Sequence, residues 1–521
     1  MKAPSTGASC GCVVSVTKSG MRFVRIVLAC VAVAGVLASG CGGSRSSTPS
    51  PPEVAPAFPA ARWVPAGPSY VFAAPTIRDA QKGIRDAIDG LGLFVGITAE
   101  AAGSDLSRML AVNPFDEAAV ASIGIDVEGG VVAFSEDLAP TFVVRVNAPE
   151  MLQSFFDKQR ELGMVSRSVI VDGVEVFTAS IIRDQLDVSW ALADGWLWLH
   201  FIPAFAKNEG TTWFSNSRKP QSAEWGRDWS WAQAAAGTTK GLVGFIDPKD
   251  VLGRFAAKVP QALACVRLLD PIQRVGVALE ASSTLASIQT FTATGKITID
   301  LGASAAQVAG ATLPIPAGFE SASKSSPIVA QWNLDLVALN SWLAPCLTAI
   351  GERTDTERIV ERYGIRAGRA IVQRVDLDDK SGAGVVSLDL AHKKFLAAAL
   401  DEVPMRSTVE RDRKFGPLAG HTIAIPFIAT VDYFLNDKMA FVAMGDGLLA
   451  KVVGNGTSVP GPIAALDVFP PMLSLETWKG LFELADLPEW FAERLLRWRE
   501  GHLSIAIEGT NLVVAASGTR R

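Results

Sequence analysis

Histidine is scarce in this chain. There are four in 521 residues, at His200, His392, His421 and His502, and no two stand at HExxH spacing. That argues against a zinc site of the metalloprotease kind. No CxxC pair follows Cys41, which removes the thiolate pairs of zinc ribbons and thiol–disulfide enzymes. There is no GxSxG elbow to lift a serine above a sheet, no SxxK with KTG, no GxxxxGK[ST] loop, and no GxGxxG after a strand. The acidic stretch Asp376–Gly382 (DLDDKSG) places Lys380 and Ser381 where a calcium loop needs an oxygen ligand and a glycine, so it reads as a solvated hairpin loop. No apolar run reaches the ~20 residues that cross a bilayer. These absences favour a protein without catalysis and without a metal or other cofactor. Paired carboxylates brought together only by folding stay open as an alternative.

The twelve-residue apolar run Ile26–Leu37 follows Lys18, Arg22 and Arg25 and ends in small residues. A basic flank, a short apolar stretch and small residues describe a secretory signal over residues 1–40, for which Met21 is a tidier start than Met1. The small residues lead straight into Cys41. The stretch Leu37-Ala38-Ser39-Gly40-Cys41 resembles the lipobox of bacterial lipoproteins, departing from it at Ala38, where that family prefers Leu. The resemblance implies cleavage before Cys41 and acylation of that residue, which would be the contact with membrane lipid; an ordinary cut near Gly40 is the alternative. By resemblance to Gram-negative lipoproteins, Gly42 after the cysteine favours the outer membrane. Residues 41–62, rich in Ser, Pro and Gly, read as a tether without a core.

Some 460 residues remain, half of them hydrophobic, enough for a well-packed body. The first forty residues carry four positive charges and no acidic ones, so the mature chain falls from −5 to −9. An acidic body argues against nucleic acid as a partner. Beyond Cys41 only Cys265 and Cys346 remain. An oxidising envelope permits a disulfide between them; two separate buried thiols are the alternative.

The chain also repeats itself. Gly124-Ile125 followed by GGVVAF recurs as Gly364-Ile365 followed by GRAIVQ. The stretch TFVVRVNAPEMLQSFFDKQ (141–159) recurs as GVVSLDLAHKKFLAAAL (384–400), ALADGWLWL (191–199) as VAMGDGLLA (442–450), and RVGVALE (274–280) as HLSIAIE (502–508). The shared order argues for two homologous halves, 63–310 and 311–521. Roughly thirty residues within 203–240 belong to the first half alone, which makes that insertion look dispensable. Strands are expected to begin near Tyr70, Phe142, Leu242, Ile328, Val385 and Ala464. Asn147 and Asp389 stand where helix caps are expected, and a helix over 488–499 would bury Phe491, Leu495 and Trp498. Asp172-Gly173 reads as a hairpin turn, since Asp-Gly accepts positive φ. The expected fold is α+β, each half an antiparallel-rich sheet covered by helices. The pattern resembles uncharacterised exported lipoproteins of GC-rich Gram-negative bacteria with repeated strand–helix–hairpin units. That implies a fold style and no activity.

Seven tryptophans fall within residues 190–231. Trp196 and Trp198 alternate on a strand and so share a face, expected to be core. Trp213, Trp225, Trp229 and Trp231 lie in the insertion. Exposed, they would suit contact with a glycan, a lipid or an envelope protein; turned inward, they would plug the end of the sheet. The expectation is an acyl-anchored envelope protein that binds or scaffolds. A hydrolase of envelope polymers and a carrier of an acyl ligand are the alternatives.

Overall fold

The computed structural model describes residues 57–520, apart from 96–98, 137–138, 163, 165, 183–184, 205–210, 259–264, 266, 286–288, 325, 351–354, 377–380, 402–408, 426–428, 446 and 485–489. The signal segment, Cys41 and most of the tether lie outside the described residues.

Helix and strand are mixed, and one antiparallel sheet of twenty strands dominates. Ten strands come from the first part of the chain. They are β1 (Tyr70–Ala74), β2 (Val131–Ser135), β3 (Thr141–Arg145), β4 (Ser166–Val171), β5 (Val174–Ile182), β6 (Leu186–Ala193), β7 (Trp196–Pro203), β8 (Leu242–Ile246), β9 (Arg274–Leu285) and β10 (Gln289–Asp300). Ten more follow: β11 (Ile328–Trp332), β12 (Ile365–Asp376), β13 (Ser381–Leu390), β14 (Val409–Phe415), β15 (Leu418–Ile425), β16 (Ala429–Leu435), β17 (Met439–Met444), β18 (Ala464–Val468), β19 (Trp498–Glu508) and β20 (Asn511–Arg520). All six expected strand positions fall on strands.

The spatial order in the first ten is 4-5-6-7-3-2-1-8-9-10. In the second ten it is 14-15-16-17-13-12-11-18-19-20, the same order shifted by ten. The two sets join where β10 pairs antiparallel with β20, from Phe291↔Arg520 to Asp300↔Asn511. Each set thus places its last strand at the centre of the sheet and its β4-type hairpin at an outer edge.

Helices cover both faces. On one face, α1 (Ile77–Val95), α2 (Ala99–Leu110), α3 (Glu117–Ser122) and α4 (Pro149–Glu161) belong to the first set. Leu152 and Phe156 of α4 pack on Val144, Trp190 and Leu197. The opposite face carries α5 (Thr212–Ser217) and α6 (Ala223–Ala236), which bury Trp213, Phe214, Trp225 and Trp229 on Val71, Val132, Val143 and Trp198. A third core, with Ile272, Val277 and Ile299 from the first set and Leu334 and Ile463 from the second, crosses the junction.

Several expectations need correction. Residues 57–62 are not tether: Phe58, Ala60 and Ala61 are fully buried, and the Phe58 ring stands edge-on to Trp229 at 5.6 Å. Asn147 does not cap α4; Ala148 holds that place, with Pro149 opening the helix and no side-chain cap. Asp389 is a strand residue whose carboxylate pairs with the buried guanidinium of Arg369 at 2.8 Å. The helix expected over 488–499 is described only over Trp490–Leu495, and Trp498 already begins β19. Gly447 does not open a strand as Gly195 does. It precedes the short helix Leu448–Val453, and the turn matching Asp194-Gly195 is at Asn436–Lys438. In that part of the chain similar residues occupy different elements.

Asp172-Gly173 and Asp194-Gly195 both take positive φ at both residues, as a tight hairpin turn needs. Gly124 (φ +88°) and Gly364 (φ +74°) occupy matching places, each against the backbone carbonyl at the end of β3 or β13, of Ala148 and His392 respectively. A Cβ at either would overlap that oxygen. Gly124→Ala and Gly364→Ala are therefore expected to cost about 2–4 kcal/mol each, read as a fall in the urea midpoint. Gly253→Ala, on an open helix surface, should leave the midpoint within ~0.5 kcal/mol or raise it.

Cys265 and Cys346 are bonded, with Cα atoms 4.4 Å apart. The bridge links the first set of elements to α10 (Leu336–Ile350) of the second and closes an 81-residue separation. In the chain-entropy account such a loop contributes about 4–5 kcal/mol. Reduction should lower the thermal midpoint of the intact chain, and Cys265→Ser with Cys346→Ser should reproduce the reduced value.

Candidate functional site

Helices cover each set of strands near its own core, and on one face they leave part of the middle of the sheet open, where Thr294 and Ser517 are exposed. On the face that carries α5 and α6, register alone lines up five polar residues across adjacent strands. Asp467 of β18 lies opposite His502 of β19, His502 opposite Ser517 of β20, Ser517 opposite Thr294 of β10, and Thr294 opposite Glu280 of β9. Two residues along, Ser504, Ala515, Lys296 and Ala278 form a second row of short or flexible side chains. These rows, apart from Asp467, line a groove of about 280 Å³ together with Ala236, the last residue of α6, and Thr238.

The polar groups hold one another. Asp467 Oδ1 is 2.9 Å from Nδ1 of His502, and Nε2 of that ring faces Glu500 Oε2 at 3.7 Å. Thr519 donates to Glu500 at 2.9 Å, and the edge of Phe469 meets the imidazole at 5.6 Å. All three titratable side chains stay partly open to solvent. Carboxylate, imidazole and hydroxyl stand in the sequence of a nucleophilic relay, yet Nε2 is turned along β19 to Glu500 rather than across to Ser517. The arrangement orients donors and acceptors for a polar ligand and does not prime a serine.

Of the other histidines, His421 lies on β15 and His392 in the loop after β13. His421 stacks on Tyr433 at 5.1 Å, and His392 Nε2 lies 3.2 Å from the Glu361 carbonyl oxygen. Among the described residues no group of three His, Cys, Asp or Glu could hold a metal ion. Among them, too, no helix is long and apolar enough to cross a membrane.

The insertion tryptophans are not a contact surface. Trp213, Trp225 and Trp229 are buried at 5%, 1% and 1% exposure. Trp231 is half-buried, with the Arg274 guanidinium 4.4 Å over its ring. The reason is geometric. Helix α6 starts at a Ser222 cap, which accepts from the Trp225 amide, and turns Trp225, Trp229 and Ala232 onto Phe58 and Phe245. Excising 205–238, which the repeat made look harmless, would strip this core. Beside it Glu136 receives Asn216 at 3.1 Å, and Asp250 is bonded to Ser69. Burial pushes both carboxyls above their ordinary range, against the lowering effect of those same bonds. Sequence spacing carried no sign of this cluster or of the junction row, since the first joins helix residues to strand ends far away in the chain and the second is made by register between distant strands.

No family model matches the chain, and no curated protein matches it. One solved structure, of crystal form III of TP0453, aligns over 50% of this chain and 82% of that one, at 11% identity and a TM-score of 0.26. A likeness at that level carries no argument.

His200 generates a pH prediction. It is 3% exposed, Nδ1 lies 2.8 Å from Thr141 Oγ1, and its ring stacks on Trp213 at 4.7 Å. Burial pulls its pKa down to about 4. An unfolded histidine titrates near ~6.5. Between those values the unfolded chain binds a proton that the folded chain does not, so stability falls as pH drops from about 6.5 to about 4. The expected loss is about 3 kcal/mol. Urea titrations of His200→Gln should show a flatter acid limb than wild type; an identical slope would refute the assignment.

Proposed function

We propose that this protein is a lipid-anchored component of the bacterial cell envelope, held by acylated Cys41 at the outer membrane, which binds or scaffolds without catalysis. The single observation that carries the binding role is the open centre of the sheet. Both sets of strands bring their last strands there, and a fixed Asp467–His502–Glu500 cluster faces a groove with a floor of small side chains. The shared strand order supports descent of the two halves from one duplicated unit. With Cys41 some sixteen residues ahead of Ala57, the Ser/Pro-rich segment gives the body a reach of about 20–55 Å from its anchor. Two or three acyl chains on one residue hold a protein on a bilayer far longer than one chain does.

A second reading, a carrier of an acyl ligand, is favoured by the exposed apolar residues Val386, Val442, Leu466 and Leu503 on the opposite face of the sheet. Cys41→Ser should move the protein from the membrane pellet to the soluble fraction of disrupted cells. Wild-type retention in the pellet would remove Cys41 as the anchor.

A further inference from the structure

The other face of the sheet carries a row of a different kind. Val442 of β17, Val386 of β13, Ala370 of β12, Ala330 of β11, Leu466 of β18 and Leu503 of β19 are successive cross-strand partners. All six are apolar. Val442, Val386, Leu466 and Leu503 are 36–41% exposed, unusual for aliphatic side chains in the middle of a sheet.

The neighbouring rows are covered. On one side Ile328 and Val468 lie under Leu475, Trp478, Leu481 and Leu495 of the two helices Leu475–Leu484 and Trp490–Leu495. On the other, Trp332 and Ile505 pack in a core with Leu339 and Trp342 of α10. The covered rows stand about 7 Å along the strands to either side. The uncovered strip is thus one side chain wide, too narrow for a helix of about 10–12 Å diameter. Across six strands it runs about 24 Å, more than the ~15 Å depth of a single leaflet that a membrane acyl chain fills.

The first set of strands carries bulkier side chains in the matching row, with Phe142 still 36% exposed. Counting back six residues from the carbonyls that meet Gly124 and Gly364 aligns Phe142 with Val386. The matching row then reads Leu199, Phe142, Ala133, Phe72 on β7, β3, β2 and β1, against Val442, Val386, Ala370, Ala330. The Phe72 ring lies over Gly244 of β8. Further out, Trp190 and Phe177 are stacked, with Phe156 of α4 on Trp190 at 4.8 Å. Both rows end outward in a stacked pair of rings, Trp190–Phe177 and Tyr433–His421; between them the first set carries Phe142 and Phe72 where the second carries Val386 and Ala330.

The ends of the strip differ as well. Inward the row continues through Ala516 and Gly295 to Leu279, packed with Ala80 of α1. Outward it passes to Tyr433 and then His421, whose Nδ1 is 3.2 Å from Asp412. An apolar inner end and a polar outer end match a single-chain amphiphile.

We propose that this strip binds one fatty acid, its hydrocarbon chain lying across β17 to β19 and its head toward Tyr433. The inference rests on the acyl-ligand reading above rather than on the polar groove, and it is independent of the anchor, so it is tested on the full chain carrying Cys41→Ser. The probe is cis-parinaric acid, a fatty acid whose fluorescence rises in apolar surroundings, displaced by palmitate. One site per chain is expected. Val386→Glu and Val386→Phe should each weaken binding at least tenfold, while Val169→Glu on the outer strand β4 should leave it unchanged. Absence of uptake, or uptake equal in all variants, would overturn the proposal. So would sedimentation showing a dimer that Val386→Glu dissociates without any fatty acid bound, which would assign the strip to a second copy. Loss of membrane retention in the Cys41→Ser fractionation has no bearing on these outcomes.

Discussion

The antiparallel pairing of β10 with β20 is the constraint on which the rest depends. Each set of ten strands ends in a strand with one long unpaired side, and such an edge invites association with any other. Here each edge covers the other over ten residue pairs. The pairing fixes register across the centre, and register alone sets Asp467, His502, Ser517, Thr294 and Glu280 in one line. A slip of one residue would turn half of that row to the opposite face.

The same pairing explains why the two faces differ at the centre. Alternate residues of β19 read His502, Ser504 on one side and Leu503, Ile505 on the other. One face therefore receives a polar floor and the other an aliphatic one, from the same strands. The helices add to the division: Leu339 and Trp342 pack into the core that crosses the seam on the aliphatic side, while Thr294, Ala516 and Ser517 near the seam stay exposed. Outer edges are handled differently: β14 carries five charged residues in seven, while β4 leaves Val169 and Ile170 exposed.

Much of the fold was legible in local chemistry. Runs of β-branched residues marked the strands, and Asp-Gly pairs marked turns that the backbone adopts with positive φ at both residues. What could not be read was decided by partners far away in sequence. Tryptophan suits a half-wet surface as well as a core, so Trp225 and Trp229 gave no sign of their direction until Phe58 and Phe245 were placed against them. Asp389 had the look of a cap and instead neutralises Arg369, which is buried by β12 and its neighbours. The junction row was invisible because its members come from five strands spread over more than two hundred residues. Of the polar groove, only His502 stands out in the sequence, as one of four scarce histidines.

The Cys265–Cys346 bridge has a topological consequence. It ties a segment before β9 to the helix after β11, on opposite sides of the β10–β20 seam. Two sets of strands with complementary edges are prone to exchange, each chain lending its second set to the first set of another. Once the sulfurs have joined within one chain, that trade is closed: every molecule must find its seam in itself. Oxidation of that pair within one chain would thus lock in the single-chain assembly at the moment of folding.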